Sequence, residues 1–227
     1  MHPAPRAALL FDIDGTLADT DRLHLEAFNT VFGPRGHTFT PERFKAELQG
    51  FANSAIAARF LADETAAGRI AIMEEKEATF RALAQAGVHP LDGLLDLLDR
   101  CDAAGLPYAA VTNAPRANAE LILDATGIRT RFRTIVLGDE LAHGKPHPMP
   151  YLEGLRRLDA DANFAVAFED SPSGVKSATA AGIATIGMLT GQTEATLRAA
   201  GAVAVAANYV DADLIAFVER TISGAAG

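Results

Sequence analysis

The chain has 227 residues, with 20 Lys and Arg against 29 Asp and Glu, giving a formal net charge of −9. This acidic balance disfavours a nucleic-acid groove, the single Cys101 excludes an intrachain disulfide framework or a cysteine-rich zinc site, and no apolar run approaches the roughly 18 residues of a membrane span. With 49% hydrophobic and 22% charged residues, the length suits one full-sized domain plus a large insertion, and the N-terminus turns acidic too soon for a signal peptide, so a cytoplasmic globular enzyme is expected.

In chain order, the first apolar run is 7–11, short enough for a strand buried on both faces. From about Thr20 to Val88 the pattern is helical only. A helix is expected over 24–32, another opening at Thr40-Pro41 (a capping threonine with proline at the first helical position), a third over 54–62 capped by Asn53, and a longer one over 70–86. After this insertion, helix and strand alternate. A leucine-spaced helix over 91–104 stops at Gly105, and a strand follows at 108–111. Helix 117–126 stops at Gly127, and strands follow at 134–137 and 164–168. Helix 173–181 stops at Gly182, strands follow at 183–188 and 203–206, and a last helix covers 212–222. The pattern predicts an α/β fold with a doubly wound, Rossmann-like parallel sheet as its core, residues 1–18 and 89–227, interrupted by an α-helical cap, residues 19–88.

Polar residues gather where these strands end. Phe11-Asp12-Ile13-Asp14-Gly15-Thr16-Leu17 places two carboxylates two residues apart just past the first strand, where open α/β sheets bind ligands. Two such carboxylates repel each other and need a cation, a shared proton or divided roles; in isolation the pattern also suits a solvated turn. Thr112-Asn113 ends the next strand, Gly144-Lys145-Pro146 follows the third, and Glu169-Asp170-Ser171 ends the fourth, with Gly174 soon after. Other phosphate signals fail: five residues separate Gly138 from Gly144 where a P-loop needs four, and proline follows Lys145. No G-x-G-x-x-G opens a helix after a strand.

Asp12-Ile13-Asp14-Gly15-Thr16, Thr112-Asn113, Lys145-Pro146 and Glu169-Asp170-Ser171 together resemble, in order and rough spacing, the four motifs of the haloacid dehalogenase superfamily. The helical insertion after the first motif resembles the cap of the branch that holds β-phosphoglucomutase, phosphoglycolate phosphatase and many sugar-phosphate phosphatases. The resemblance implies a Mg²⁺-dependent phosphatase of small phosphorylated metabolites. Asp12 would be the nucleophile forming an aspartyl-phosphate, and Asp14 the general acid and base. Asp12, the Asp14 carbonyl and Asp170 would hold the metal, Thr112, Asn113 and Lys145 would bind phosphate, and Glu169 would shape the surroundings through a metal-bound water or by pairing with Lys145. Asp14 should hold a proton near neutral pH, helped by its acidic neighbours.

In the cap, His24 matches a histidine of related enzymes, Gly50 the glycine of a substrate loop, and Lys76 a cap lysine. Asn53 stands where the mutases carry an arginine for a second phosphate, which counts against a bisphosphate-dependent mutase. A mutase, or a binding protein retired from catalysis on the same scaffold, are the alternative readings. Lys76 among Glu74, Glu75 and Glu77 is equally readable as a solvated ion pair, and Arg116 could approach the leaving group. Elsewhere the plain readings hold. Asp92, Asp96 and Asp99 form a solvated helix face, Arg129, Arg131 and Arg133 meet solvent, Cys101 is core, and His143 and His147 lack a third zinc ligand. No segment marks an oligomer interface.

Overall fold

The computed structural model describes residues 6–223; residues 1–5, on which part of the signal-peptide reading falls, lie outside them. Strand β1 (Ala8–Phe11) runs up the middle of the molecule, and all four of its residues are buried. The chain then leaves the sheet for four cap helices, α1 (Asp21–Phe32), α2 (Pro41–Glu47), α3 (Asn53–Phe60) and α4 (Ala66–Ala84). It returns through α5 (Leu94–Ala104), β2 (Tyr108–Thr112), α6 (Arg116–Ala125) and β3 (Ile135–Leu137) on one side. On the other side come α7 (Met149–Leu158), β4 (Ala165–Glu169), α8 (Pro172–Ala180), β5 (Ala184–Met188), α9 (Glu194–Ala200), β6 (Ala204–Ala206) and α10 (Ala212–Ser223). The six strands pair in parallel in the order β3-β2-β1-β4-β5-β6, in the doubly wound arrangement expected. Because the chain steps left from β1 and later restarts at β4, the loops after these two neighbours diverge and leave a crevice at their carboxyl ends.

Alternate residues of the strands feed two separate apolar layers. Leu9, Phe11, Tyr108 and Phe168 face one, and Ala8, Leu10, Val111 and Ala167 the other. Phe11 stacks on Phe168 with ring centres 4.7 Å apart, and Phe132 meets Phe11 edge-on. The other layer needs α7, a helix absent from the sequence reading, which supplies Tyr151 and Leu155. Arg131 also departs from that reading: it clamps Asp99 and Asp102 of α5 instead of meeting solvent.

The cap has its own core of Phe28, Phe32, Phe39, Phe44, Ile56 and Met73. Yet Leu23, Ala27, Phe80 and Ala84, at the bases of α1 and α4, pack into the same cluster as Leu9 and Phe11. The two strands of chain that join cap to sheet lie side by side, with Leu91 N–H donating to the Leu17 carbonyl at 3.0 Å and Ala18 bridging to Pro90. Thr40 caps α2 as expected, accepting from the Arg43 N–H at 3.2 Å. Asn53 does not cap α3: Ala52 holds that position, and the Asn53 side chain is drawn instead to the buried Glu77 carboxylate. Among the described residues, no helix is long and apolar enough to cross a membrane.

Candidate active site

Three carboxylates converge above β1 and β4. Asp12, Glu169 and Asp170 are all buried, and one oxygen from each lies within 4.8 Å of the others. Local geometry forces this proximity. Gly15 turns at φ +69°, and a Cβ there would sit 2.1 Å from Asp170 Oδ2, so only glycine supplies both the left-handed turn and the room. Gly174 leaves space for Glu169, whose carboxylate carbon lies 1.9 Å from where a Cβ would stand. Ser171 caps α8 by accepting from the Gly174 N–H at 3.1 Å, which fixes the turn carrying the acid pair.

One ammonium answers two of the three acids. Lys145 Nζ donates to Asp12 Oδ1 at 2.6 Å, to the Val111 carbonyl at 2.7 Å and to Glu169 Oε1 at 2.5 Å. Tyr151 Oη donates to the same Glu169 oxygen at 2.6 Å. Burial, opposed by Lys145 and reinforced by Glu169 and Asp14, holds the Asp12 carboxyl well above the ordinary range. Burial, with Asp21 and Asp12 beside it, does the same to Asp170. Burial opposes the Lys145 charge, but Asp12 and Glu169 outweigh it and raise its affinity for the proton. The cluster is therefore short of positive charge.

Thr112 and Asn113 follow β2 into the crevice. The Thr112 hydroxyl accepts from the Ala114 N–H at 2.9 Å. The Asn113 amide is committed to the lysine loop: Oδ1 accepts from the Lys145 N–H at 3.0 Å, and Nδ2 donates to the Lys145 carbonyl at 3.1 Å. Gly138 and Gly144 leave room for it, since a Cβ at either would come within 2.3 or 2.7 Å of Asn113 Oδ1. Asn113 thus positions Lys145.

Asp14 faces the other way, toward the cap. Its Oδ1 accepts from the Thr20 hydroxyl at 2.7 Å and lies 3.0 Å from His24 Nε2. Burial would raise the Asp14 pKa, but His24 and Thr20 outweigh it and hold the carboxyl below its ordinary value. This reverses the expectation that acidic neighbours would keep it protonated; the cap's donors stand closer than the other acids. Lys76 Nζ lies 3.3 Å from His24 Nδ1. Since an ammonium only donates, Nδ1 accepts and Nε2–H is left to donate to Asp14. The His24 ring stacks on Phe80, with centres 3.8 Å apart.

Lys76 is not the solvated ion pair that its acidic neighbours in sequence allow. It is 3% exposed, sits over the Phe28 ring and donates to Glu77 Oε1 at 2.8 Å. Glu77 also accepts from Asn53 Nδ2 at 2.7 Å and from Asn118 Nδ2 at 2.5 Å. Gln49, unread in the sequence, bridges the cap to the acids, donating to Asp21 Oδ2 at 2.9 Å and Asp170 Oδ2 at 2.6 Å. All these groups line one cavity of about 90 Å³ between sheet and cap. Arg116 does not reach it: its guanidinium is exposed and pairs with Glu140 at 2.6 Å and with Glu120. The buried stripe Met73, Lys76, Glu77, Phe80 and Ala84 on α4 has helical spacing, the one signal by which Glu77 could have been found.

Acidic side chains and a buried lysine at the carboxyl edge of a parallel sheet, closed over by a helical cap, define an α/β enzyme with an acid-rich capped site. The haloacid dehalogenase-like hydrolase family matches residues 9–188, and the chain belongs to that family. It is similar to protein CbbY of Rhodobacter capsulatus, 34% identical over an alignment of 186 residues that covers 78% of this chain and 82% of that one. It is also similar to a phosphoglycolate phosphatase of Xanthomonas campestris pv. campestris, 33% identical over 188 residues, 82% and 84% of the two chains. Its fold matches the crystal structure of a mutant CbbY from Rhodobacter sphaeroides in complex with xylulose-(1,5)bisphosphate, with a TM-score of 0.80 and 31% identity over 91% of this chain and 96% of that one.

Proposed function

We propose that the chain is a Mg²⁺-dependent phosphatase of small phosphorylated metabolites that works through an aspartyl-phosphate on Asp12. The observation that carries this reading is the convergence of the Asp12, Glu169 and Asp170 carboxylates around a single Lys145. Relatives described as phosphoglycolate phosphatase and phosphorylated carbohydrates phosphatase support it. An all-oxygen, buried, charge-deficient donor set fits a hard divalent cation. Asp12 and Asp170, with the Asp14 backbone carbonyl, would hold it; Glu169 stands behind, taken up by Lys145 and Tyr151. Bound there, Mg²⁺ supplies the charge that lets a phosphate dianion approach the carboxylates.

The rest is done by the chain's own groups. A carboxylate oxygen of Asp12 attacks phosphorus as the bond to the ester oxygen breaks, splitting one difficult displacement into two. Lys145 and the Thr112 hydroxyl meet the non-bridging oxygens as charge spreads over them. Asp14, once it carries a proton, gives it to the departing ester oxygen, and Thr20 and His24 stabilise the carboxylate left behind. Asp14, kept ionised by His24 and Thr20, then takes a proton from the water that attacks the phosphoenzyme and releases phosphate. Residues 19–88 serve as a lid that excludes water, hinged at residues 18–20 and 88–91. Phosphate release from a panel of metabolites, with Mg²⁺ and with EDTA, tests the proposal. Metal-dependent release that Asp12→Asn lowers by on the order of 10⁵-fold or more is expected; near-normal release by Asp12→Asn overturns the mechanism.

A further inference from the structure

Resting on the phosphatase reading, we infer that the cap wall of the cavity selects monophosphates whose remaining part is uncharged and hydroxylated, with Glu77, Asn53 and Asn118 as the selecting residues. The leaving group of a phosphate held between Asp12 and Lys145 points toward Asp14, and the wall beyond Asp14 is the chain His24, Lys76, Glu77. That wall offers no spare cation. The Lys76 ammonium is already shared between Glu77, His24 and the Phe28 ring, and no arginine lines the cavity among the described residues. Arg81 approaches from outside and stops at Asn118 Oδ1, 2.9 Å away. A second phosphate or a carboxylate placed here would be desolvated beside the buried Glu77 carboxylate, while the nearest guanidinium, Arg81, stands behind Asn118 and outside this cavity. Burial works against the charge of Glu77, but Lys76, His24 and Asn53 prevail and keep it ionised.

The hydrogen-bonding capacity left over points the same way. Glu77 Oε1 accepts from Lys76 and Asn53, while Oε2 accepts only from Asn118. One acceptor position on Oε2 stays free, along with the Asn53 carbonyl oxygen and the second N–H of each amide. Free acceptors alternating with free N–H donors suit hydroxyl groups, which both give and take a hydrogen bond; a phosphate or carboxylate can only take. Phe51, 45% exposed, adds an apolar face at the same cavity, fit for the C–H side of a polyol or sugar.

The test uses the full-length Asp12→Asn protein, so that binding is read without turnover. Calorimetric titration with Mg²⁺ would compare a hexose 6-phosphate, the matching hexose 1,6-bisphosphate and phosphoglycolate. The expected result is a dissociation constant for the hexose monophosphate about 100-fold below that of the bisphosphate, with phosphoglycolate also weaker. Glu77→Gln, which keeps the shape, should narrow the gap between mono- and bisphosphate about tenfold. Should that variant fail to fold, Asn53→Lys, on the first turn of α3, should shift the preference toward the bisphosphate. Equal or tighter bisphosphate binding by the Asp12→Asn protein overturns the inference, as does a preference indifferent to both variants. Phosphate release by the unsubstituted enzyme is scored separately. Selective binding without any release defeats the phosphatase reading alone, and release that favours bisphosphates defeats the selectivity alone.

Discussion

Replacing Asp21 by asparagine should stabilise the protein at neutral pH. Asp21 opens α1 and accepts from Gln49 Nε2 at 2.9 Å. Burial, opposed by His24 and Lys45 and reinforced by Asp19 and Asp14, pushes its carboxyl from an ordinary 3.8 to about 6. A proton held more tightly by the folded than by the unfolded chain makes stability fall as pH rises. The contribution is therefore fully present below pH 3.8, is lost on rising through about 6, and stays lost above that. At about 1.4 kcal/mol per tenfold change in proton affinity, the loss is about 3 kcal/mol. Asparagine forfeits the favourable charge at a helix N-terminus, worth about 0.3–1 kcal/mol, but can still accept from Gln49. Burial wins, leaving a net gain of about 2 kcal/mol at pH 7, or about 4–8 °C in Tm for a chain of this size. Calorimetry of both proteins in EDTA, from pH 4 to 7.5, measures it. The variant's curve should part from the parent's as pH rises and lie above it at pH 7. Parallel curves, or a variant that melts lower at pH 7, would refute the reasoning.

Gly174→Ala should drive Glu169 off Lys145 and Tyr151, because the new Cβ would lie 1.9 Å from the carboxylate carbon. Breaking that buried pair costs about 3–5 kcal/mol, a fall in Tm of about 6–20 °C, read by calorimetry alongside lost phosphate release. Thr112→Ala should lower kcat by about 10²–10³ and leave measurable turnover; steady-state kinetics decide it. Mg²⁺ at about 100 times its dissociation constant should add about 2.7 kcal/mol of stability and raise Tm accordingly. Asp170→Asn, which removes one charge from the cluster, should abolish most of that rise.

The sheet was legible because its strands are buried on both faces and so read as unbroken apolar runs, with polar residues starting where each run stops. Phe11 to Asp12 and Val111 to Thr112 are such changes, and they mark the crevice. Helix α7 was hidden by Pro148, Pro150 and Gly154, although Tyr151, Leu155 and Leu158 share one helical face. Gly154 is there for close packing: a Cβ would come 2.7 Å from Leu10 Cδ2. The cap residues were harder to read, because four charged residues follow one another from Glu74 to Glu77. Which of them turn inward depends on how α4 packs on α1, and there His24 on Phe80 and Lys76 on Phe28 fix the rotation. The proton affinity of Asp14 was misjudged for the same reason. Sequence shows its acidic neighbours, whereas the fold brings Thr20 and His24 within 3.0 Å of its oxygen.

The distribution of charge explains why the two ends of a substrate would be treated differently. On the sheet side, three buried carboxylates stand with one ammonium, which pairs with Asp12 and Glu169 and leaves Asp170 to Gln49, so a cation and, with it, an anionic ligand would complete this half. At the α4 wall of the cap the charges already balance, Lys76 against Glu77, with His24 hydrogen-bonded to Asp14. A buried pair such as Lys76–Glu77 adds little to stability over apolar side chains of similar volume, and the cap core around Phe28, Ile56 and Met73 shows that such side chains pack well at its edge. A polar wall in that setting is better accounted for by what it meets across the cavity. A phosphate would be held on the sheet side once a cation had offset its carboxylates. The α4 wall, already balanced in charge, offers hydrogen bonds, and a leaving group would be read there.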